Sequence, residues 1–343
     1  MNEIITKDKE LNNCTFVKMV LMILVVAGHC TELWTGSWYG ITPVFTNKLF
    51  GAFTLWLNNI HTYCFVLVSG YLFYYVKYER GGYQRYLPFI KNKIDRLMVP
   101  YIFVGFIWVM PVAAILYEYS FCDIFENFIL GIKPGQLWFL LALFNIFVIF
   151  FPISDFCKTH FRASAIGMLT LYVISELFAG ELLYFQIYRV LRYILIFWIG
   201  FILREYKHDY LYKFPVWLYL IIDIGIFVLS RIVSFEAPLI GELASFAFSL
   251  VLRVLGALMA FLVLQKVADR ISNGRLVVCL EKNSMIIFLF HMQIVLIINS
   301  LLNGVLPTVL HVSLSFVLSM TIPLCIGKVL RKSAMCRKMV GEK

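Results

Sequence analysis

Long apolar stretches dominate this chain and limit what it can fold into more than any other feature. A helix that crosses a membrane needs about 20 mostly apolar residues. Ten such stretches are present, at residues 14–34, 49–76, 97–117, 136–154, 163–180, 188–204, 214–231, 244–266, 283–302 and 305–327. The sequence shows no period-two alternation of the kind a membrane β-barrel needs. It therefore predicts an all-α, polytopic integral membrane protein with about ten transmembrane helices.

The composition excludes the other classes of protein. Of the 343 residues, 61% are hydrophobic and 15% are charged, whereas soluble domains have about 45–50% apolar and about 25% charged residues. A soluble protein, a disordered chain and a fibrous protein would each require a more polar sequence. We expect the spans to form one membrane-embedded domain over residues 1–343, without an extracytoplasmic domain.

The distribution of charge predicts the orientation of the spans. The chain carries 30 Lys and Arg against 20 Asp and Glu, a net charge of +10. With the N-terminus in the cytoplasm, most cations fall in the inner segments, around residues 77–96, 158–162, 204–213, 266–282 and 328–343. The outer loops carry acids instead, such as Glu118, Asp123, Glu236 and Glu242. Because cytoplasmic loops collect Lys and Arg, both termini are predicted to be cytoplasmic, and the excess charge does not indicate nucleic-acid binding.

Cysteine spacing gives no sign of a cross-linked or metal-bound fold. The chain has eight cysteines, without a C-x-x-C pair or framework spacing. Paired cysteines at fixed spacing are the usual signature of disulfide frameworks and of zinc sites. The sequence therefore predicts no structural disulfide and no metal site.

Three histidines and two arginines lie deep inside the predicted spans, where an ionisable side chain costs about 2.5–3.5 kcal/mol unless it faces a cavity or a partner. They are His29, His61, Arg192, Arg253 and His291, each from a different span. At about 1.5 Å of rise per residue, all five lie roughly 14–24 Å from the inner surface. Their agreement in depth predicts a polar chamber in the middle-to-outer layer of the membrane.

A structural role is the alternative for each of these residues. A membrane histidine often only packs and bonds to a neighbouring helix. Arg253 can pair with Glu176 or Glu242, and Arg192 can lie with Arg189 at an interface near the start of the sixth span. Neither alternative is excluded by the sequence.

A basic segment leads directly into the third span. It reads KNKIDRLMVPY and contains Lys91, Lys93 and Arg96. Because Arg grips phosphate through a planar fork of donors, these residues suit a phosphate-bearing ligand at the mouth of the bundle. Ordinary positive-inside charge is the alternative, and the charge pattern alone favours it.

The order and spacing of these residues resemble those of the membrane acyltransferases of family 3, in particular the sugar O-acetyltransferases grouped with fucose 4-O-acetylase. The first span reads KMVLMILVVAGH, from Lys18 to His29, and the second reads IHTYCFVLVSGYLF, with His61 and Tyr71. The basic loop ends in DRLMVPY, the fourth span opens with GQLWFLLAL around Trp138, and the ninth contains NSMIIFLFH. No single motif is decisive, but their shared order is specific.

This resemblance, which extends from residue 15 to about 295, implies a membrane-bound O-acyltransferase. It implies transfer of an acyl group, most often acetyl, from cytoplasmic acetyl-CoA to a sugar hydroxyl of a cell-surface polysaccharide or its lipid-linked precursor. The cell membrane of a bacterium is the implied location, with acyl-CoA, sugar and lipid as partners. Lys18 and Lys93 depart from the family pattern, in which Arg is commoner, and a lysine offers no bidentate grip.

The resemblance also implies catalytic roles for residues of the chamber. A sugar hydroxyl needs a base at neutral pH, and His29 is expected to accept its proton as a neutral imidazole. Glu32, one turn further along, would orient His29 or bind the acceptor. Arg192, Arg253 or His61 would stabilise the oxyanion of the tetrahedral intermediate. An acetyl-histidine intermediate is equally compatible with the sequence.

The remaining site residues are expected to bind the two substrates. The phosphates of CoA would be held by Lys18, Lys91, Lys93 and Arg96. Its thin pantetheine arm would then thread between helices toward the histidines. The acceptor is expected to contact Tyr71, Trp138, Arg192, Arg253 and His291.

Two other functions also suit a polar chamber among ten helices. One is a transporter or flippase, and the other is a non-catalytic subunit of polysaccharide export. Many transporters contain internal repeats and matching pairs of broken helices, and the sequence displays neither. The presence of His29, His61 and Arg96 together favours the enzyme.

Overall fold

The structure is a computed structural model that describes residues 2–117, 120–178, 180–206, 213–233, 238–271 and 274–342. Four charged residues that the charge pattern assigns to loops or to the tail lie outside the described residues; they are Glu118, Lys207, Glu236 and Lys343.

Helices make up 84% of the structure, and its described residues contain no strand. The N-terminal third contains α1 (Asn2–Thr31), α2 (Lys48–Leu57), α3 (His61–Tyr74), α4 (Tyr86–Lys93), α5 (Val99–Val104) and α6 (Met110–Tyr117). The middle contains α7 (Phe121–Ile129), α8 (Trp138–Thr159), α9 (Phe161–Leu177), α10 (Ile187–Glu205) and α11 (Val216–Ile232). The chain continues with α12 (Pro238–Ile271), α13 (Arg275–Leu302), α14 (Thr308–Leu330) and α15 (Ala334–Met339).

Seven helical segments of the described chain are long and apolar enough to cross a membrane. They are Lys9–Thr35, Tyr86–Leu116, Gly135–Thr159, Tyr184–Glu205, Ile240–Ile271, Arg275–Leu302 and Thr308–Leu330. The second of them joins α4, α5 and α6 through two π-helical turns, Ile94–Met98 and Gly105–Val109. These segments coincide with seven of the predicted spans, so the all-α, multi-pass class predicted from the sequence is confirmed.

Shorter helices occupy the other three predicted spans. Two of them, α9 and α11, have 17 residues each. The predicted span 49–76 is divided into α2 and α3 by a turn at residues 58–60. In this turn the Asn59 side chain donates to the Leu55 carbonyl at 2.9 Å, and such side-chain bonds to nearby backbone compete with the helix. The count of ten spans stays a prediction.

Two glycines bring α3 and α10 together in the middle of the bundle. Gly70 of α3 faces the carbonyl of Phe197, and Gly200 of α10 faces the carbonyl of Leu67. A Cβ atom on either glycine would overlap the facing oxygen. Small residues let the backbones of membrane helices approach closely, so this pair sets the spacing between two helices that carry site residues.

The two ends of the bundle differ in chemistry. We call the end with Lys93 and Arg96 the basic end; the C-terminal segment packs there, with Gly341 against the Arg96 carbonyl and Val340 fully buried. The opposite end, where α1 passes into the short 3-10 turn Glu32–Thr35, is the chamber end. Because α1 runs from one end to the other, it carries residues of both.

Candidate active site

Two histidines that are far apart in the chain meet near the chamber end of α1 and α13. His29 Nδ1 lies 3.0 Å from His291 Nε2. The two rings stack with their centroids 5.0 Å apart and their planes 15° apart. His291 is fully buried behind His29, so it is a partner of His29 and does not line the cavity described below.

Backbone carbonyls determine which nitrogen atoms of this pair carry protons. His291 Nδ1 lies 3.0 Å from the Ile287 oxygen and 2.9 Å from the Phe288 oxygen. Carbonyl oxygens only accept, so this Nδ1 carries a proton and, in the neutral ring, Nε2 of His291 accepts. His29 Nδ1 therefore donates to His291. The Nε2 atom of a neutral His29 is left with a free lone pair, as a proton acceptor requires.

His61, the first residue of α3, packs beside His29. Its Nε2 atom lies 3.4 Å from the position of a Cβ on Gly28, so the absence of a side chain there makes room for its ring. His61 Nδ1 lies 2.7 Å from the Thr62 hydroxyl. The Nε2 atom is buried and has no hydrogen-bond partner among the described residues. A buried polar atom without a partner is costly, and here it points to a group supplied by a ligand.

A cavity of about 890 Å³ opens in front of these side chains. Its walls come from the ends of α1, α3, α8, α10 and α13, with α7 and the segment that follows it. Its volume lies within the range of about 300–1,000 Å³ that is usual for small-molecule sites. Five residues predicted from the sequence line it, namely His29, Glu32, His61, Trp138 and Arg192.

Glu32 lies at the edge of this cavity and does not orient His29. Its carboxylate accepts from the Asn58 side chain at 3.4 Å. His29 already bonds through Nδ1 to His291, so the orienting role expected for Glu32 belongs to His291. The sequence could not indicate this because the two histidines are brought together only by the packing of α1 on α13.

Aromatic and arginine side chains form the wall contributed by α8 and α10. Trp138 stacks on Tyr193, with centroids 5.7 Å apart and planes 24° apart. The guanidinium carbon of Arg189 lies 4.1 Å from the Trp138 ring centroid, and Arg189 Nη1 donates to Gln186. The Trp138 ring, expected to stack on a substrate, thus stacks on side chains of the protein itself.

One carboxylate holds the two arginines predicted at membrane depth. Glu176 Oε1 lies 2.6 Å from Arg192 Nε and 2.7 Å from Arg253 Nη1. Arg253 also donates to the Tyr172 hydroxyl, and it does not line the cavity. Of the roles that the sequence left open for Arg253, the structure supports the pairing with Glu176. Arg192 both pairs with Glu176 and lines the cavity.

A narrow slot lies beside His29 and His61, next to the cavity. Its volume is about 30 Å³, which is room for about one group the size of a water molecule. Besides the two histidines, its walls are mainly apolar side chains, among them Val25, Phe65, Phe139 and Phe288. Such walls suit a thin, uncharged chain and exclude a charged group.

Three cations gather at the basic end. Lys18, Lys93 and Arg96 lie close enough to repel one another electrostatically, and Lys93 Nζ lies 3.8 Å from the centroid of the Phe147 ring. Among the ion pairs of the described residues, none includes these three. Clustered cations without a counter-charge attract an anion. Lys91 is exposed and has no comparable interaction with the cluster.

Tyr71 lies away from the cavity, toward the basic end of α3. Its hydroxyl donates to Glu10 at 2.7 Å and accepts from Arg204 at 2.7 Å. Arg204 also forms two hydrogen bonds with Glu79. This network ties α1 to α3 and α10, and its position does not match the acceptor-binding role expected for Tyr71.

Reasoning from ionisable residues alone missed a pair of amides beside the cavity. Gln136, which lines the cavity, donates to Gln293 at 2.7 Å, and Gln293 donates back at 2.9 Å. Gln136 also donates to the Leu289 carbonyl. An amide inside an apolar span can be detected in the sequence. The histidines were singled out as ionisable residues inside apolar spans, and the same criterion extended to uncharged polar residues would have found Gln293.

A family model described as an acyltransferase domain, that of acyltransferase family 3, matches residues 12–328, nearly the whole chain. The chain belongs to the acyltransferase 3 family. The resemblance inferred from the motifs is confirmed at this level, and the match indicates an acyltransferase rather than a transporter or an export subunit. No curated protein and no solved structure matches the chain.

In this acyltransferase 3 protein, His29 lines two voids that differ in size and chemistry. The larger is the open cavity, whose walls include polar and charged side chains, and the smaller is the mainly apolar slot next to it. Within the described residues, no group of three His, Cys, Asp or Glu side chains could hold a metal ion. The free lone pair of a neutral His29 can accept a proton from a group bound in the cavity.

Proposed function

We propose that this protein transfers an acetyl group from cytoplasmic acetyl-CoA to a sugar hydroxyl of a cell-surface polysaccharide or its lipid-linked precursor. The protein would cross a bacterial cell membrane ten times with both termini in the cytoplasm, as in relatives of fucose 4-O-acetylase. The observation that carries the proposal is the bond from His29 Nδ1 to His291 at 3.0 Å. It leaves His29 Nε2 unprotonated at a site between the cavity and the slot.

In the proposed reaction, His29 Nε2 removes the proton of the sugar hydroxyl. The sugar oxygen forms a bond to the thioester carbonyl carbon, and collapse of the tetrahedral intermediate breaks the carbon–sulfur bond. The thiolate that leaves takes the proton from His29, so the products are the sugar ester and the CoA thiol. Throughout this exchange His291 holds the ring and accepts from its Nδ1 atom.

His61 is suited to stabilise the oxyanion of the intermediate. When the Thr62 hydroxyl donates to His61 Nδ1 across their 2.7 Å contact, the proton of the neutral ring is on Nε2. The part of the chain that the structure describes offers this atom no hydrogen-bond partner, and His61 lines both the cavity and the slot. A preorganised donor aimed at developing charge is among the strongest contributions to catalysis.

The basic end is suited to hold the donor. Lys18, Lys93 and Arg96 lack carboxylate partners among the described ion pairs, so the phosphates of CoA would supply the missing negative charge. The apolar slot matches a pantetheine arm in chemistry but is only about 30 Å³. The side chains that line it would therefore have to move apart when the donor binds.

The proposal is tested by an assay of purified protein with radiolabelled acetyl-CoA and a panel of sugar acceptors. We expect label in the sugar, and about a 10²-fold or greater loss of the transfer rate in His29→Ala, because a positioned base contributes at least that much. His311→Ala is the matched control, since His311 is also buried but bonds to Asn299 outside the cavity. Normal transfer by His29→Ala, or none by the wild type, would contradict the proposal.

The same protein separates direct transfer from an acetyl-histidine route. Without an acceptor, direct transfer predicts that no label stays on the protein. A covalent route predicts up to one labelled acetyl group per chain, lost in His29→Ala. Both routes use the lone pair of His29 Nε2, so either result is compatible with the site. The presence or absence of label on the protein decides between direct transfer and the acetyl-histidine route.

A further inference from the structure

The α10 wall of the cavity carries more positive charge than the protein neutralises. Arg189 and Arg192 line the cavity from neighbouring turns of α10, and Arg253 approaches from α12. All three lie within electrostatic reach of Tyr193. The carboxylate that pairs with this group is Glu176, shared between Arg192 and Arg253. Three guanidinium groups against one carboxylate leave two positive charges.

Arg189 is the cation of this group without a carboxylate partner. None of the ion pairs found among the described residues includes it. Its side chain is held in place by Trp138, 4.1 Å from the guanidinium carbon, and by a bond from Nη1 to Gln186. A guanidinium has five N–H donors, so most of them remain available to a ligand.

The acids of the cavity lie on other walls. Glu32 follows α1 and bonds to Asn58, and Asp123 lies on α7. Arg189 is half-buried near the start of α10, and a cation there without a counter-charge attracts an anion. The α10 wall is therefore suited to bind a ligand that supplies the missing negative charge.

We propose that the acceptor carries an oxyanion, a carboxylate or a phosphate, that binds to Arg189 and Arg192 while its reacting hydroxyl group meets His29. This inference rests on the proposed transfer to a sugar and adds the class of sugar: a uronic acid or a phosphorylated sugar. Both anions match the planar fork of donors on a guanidinium. A neutral sugar would leave the charge of Arg189 uncompensated.

The test measures binding without any acyl donor, so it does not depend on catalysis. The probes are methyl glucuronide, glucose 1-phosphate and methyl glucoside, which differ in their charged group, and binding is followed by calorimetry on the purified protein. We expect an anionic probe to bind about tenfold more tightly than methyl glucoside, as for a hydrogen bond to a charged group. The anionic probe that binds more tightly shows whether the charge of the acceptor comes from a carboxylate or a phosphate.

Substitutions assign this preference to Arg189. In Arg189→Gln we expect the tenfold preference to disappear, and in Arg189→Lys we expect an intermediate preference, because lysine keeps the charge but loses the fork. Arg231→Gln is the control, since Arg231 is exposed at the end of α11 over Phe227 and should leave the preference unchanged. Melting temperatures of all variants report whether each one folds.

Equal binding of the three probes to the wild type would overturn the inference, and so would an undiminished preference in a folded Arg189→Gln variant. Acetyl transfer to the same probes separates the two proposals. Transfer to methyl glucoside as fast as to the anions would leave the acyltransferase proposal intact and remove the charged acceptor. Preferential binding of the anions with no transfer to any acceptor would leave the charged ligand intact and contradict the acyltransferase proposal.

Discussion

At the scale of single residues, the site depends on which nitrogen atoms face each other. His29 is identifiable in the sequence, because it is a histidine inside an apolar span at a fixed distance from Lys18. The tautomer that makes His29 a base cannot be identified in the sequence. It is set by two backbone carbonyls of α13, which act through His291. In the proposed mechanism His291 is therefore a positioning residue.

Replacing the positioning histidine should lower turnover without weakening donor binding. We expect His291→Leu to lower kcat by roughly 10²-fold or more, since His29 would lose the acceptor that sets its tautomer, and to leave the KM for acetyl-CoA unchanged. Steady-state kinetics on the purified variants measure both constants.

Two further variants separate positioning from a general loss of structure. His291→Gln keeps a side-chain acceptor, so it should recover part of the lost kcat. His311→Leu removes another buried histidine, one that bonds to Asn299, and should keep the wild-type kcat. Equal losses of kcat in His291→Leu and His311→Leu would indicate that His291 has only a packing role.

At the scale of elements, close contacts between helices bring the site residues together. The motif SGY in the second predicted span includes Gly70, and the structure gives this glycine a physical reason: its neighbour is the backbone of α10. The break at residues 58–60 is a second example, because it makes His61 the first residue of a new helix and leaves Asn58 and His61 on the cavity wall.

A methyl group at the α3–α10 contact should force the two helices apart. We expect Gly70→Ala to lower the stability by about 1–3 kcal/mol, the usual cost of overpacking, and to lower acyl transfer as His61 moves relative to Arg189 and Arg192. The melting temperature in detergent and the transfer rate measure the two effects.

Gly225→Ala provides the matched comparison, because Gly225 is also helical but has nothing within 4 Å of its Cβ position. Alanine favours helix over glycine by about 1 kcal/mol, so this variant should be at least as stable as the wild type. A Gly70→Ala protein as stable and as active as Gly225→Ala would show that the close contact is not needed.

At the scale of the whole molecule, the proposed function assigns the two substrates to separate sites. The unpaired cations of the basic end include Lys18 of α1, and the cavity lies around His29 at the other end of the same helix. Such a division suits a donor that enters from one side of the membrane and an acceptor that enters from the other. It also makes the binding of each substrate separately testable.

Loss of a cation at the basic end should affect the donor alone. We expect Arg96→Ala to raise the KM for acetyl-CoA about tenfold, as for the loss of a charged hydrogen bond, and to leave the KM for the acceptor unchanged. Arg162→Ala removes an exposed arginine of another segment that the charge pattern predicts to be cytoplasmic, and it should leave both constants unchanged. An unaltered KM for acetyl-CoA in Arg96→Ala would indicate that the basic loop carries ordinary positive-inside charge and does not bind the donor.

The sequence by itself determined the class of this protein, because apolar length and the placement of charge are properties of each segment and need no neighbour. It also singled out His29, His61 and Arg192, since an ionisable residue in an apolar span stands out locally. It could not place Tyr71 or Arg253, whose positions depend on partners such as Glu10 and Glu176.

Only the tertiary structure showed which partners these residues have. The pairing of His29 with His291, the unpartnered Nε2 of His61 and the surplus charge around Arg189 all arise between helices that are distant in the chain. Contacts of this kind depend on how the helices pack, which a pattern of apolar residues does not specify. The membrane class therefore follows from the chain itself, and the chemistry follows from its packing.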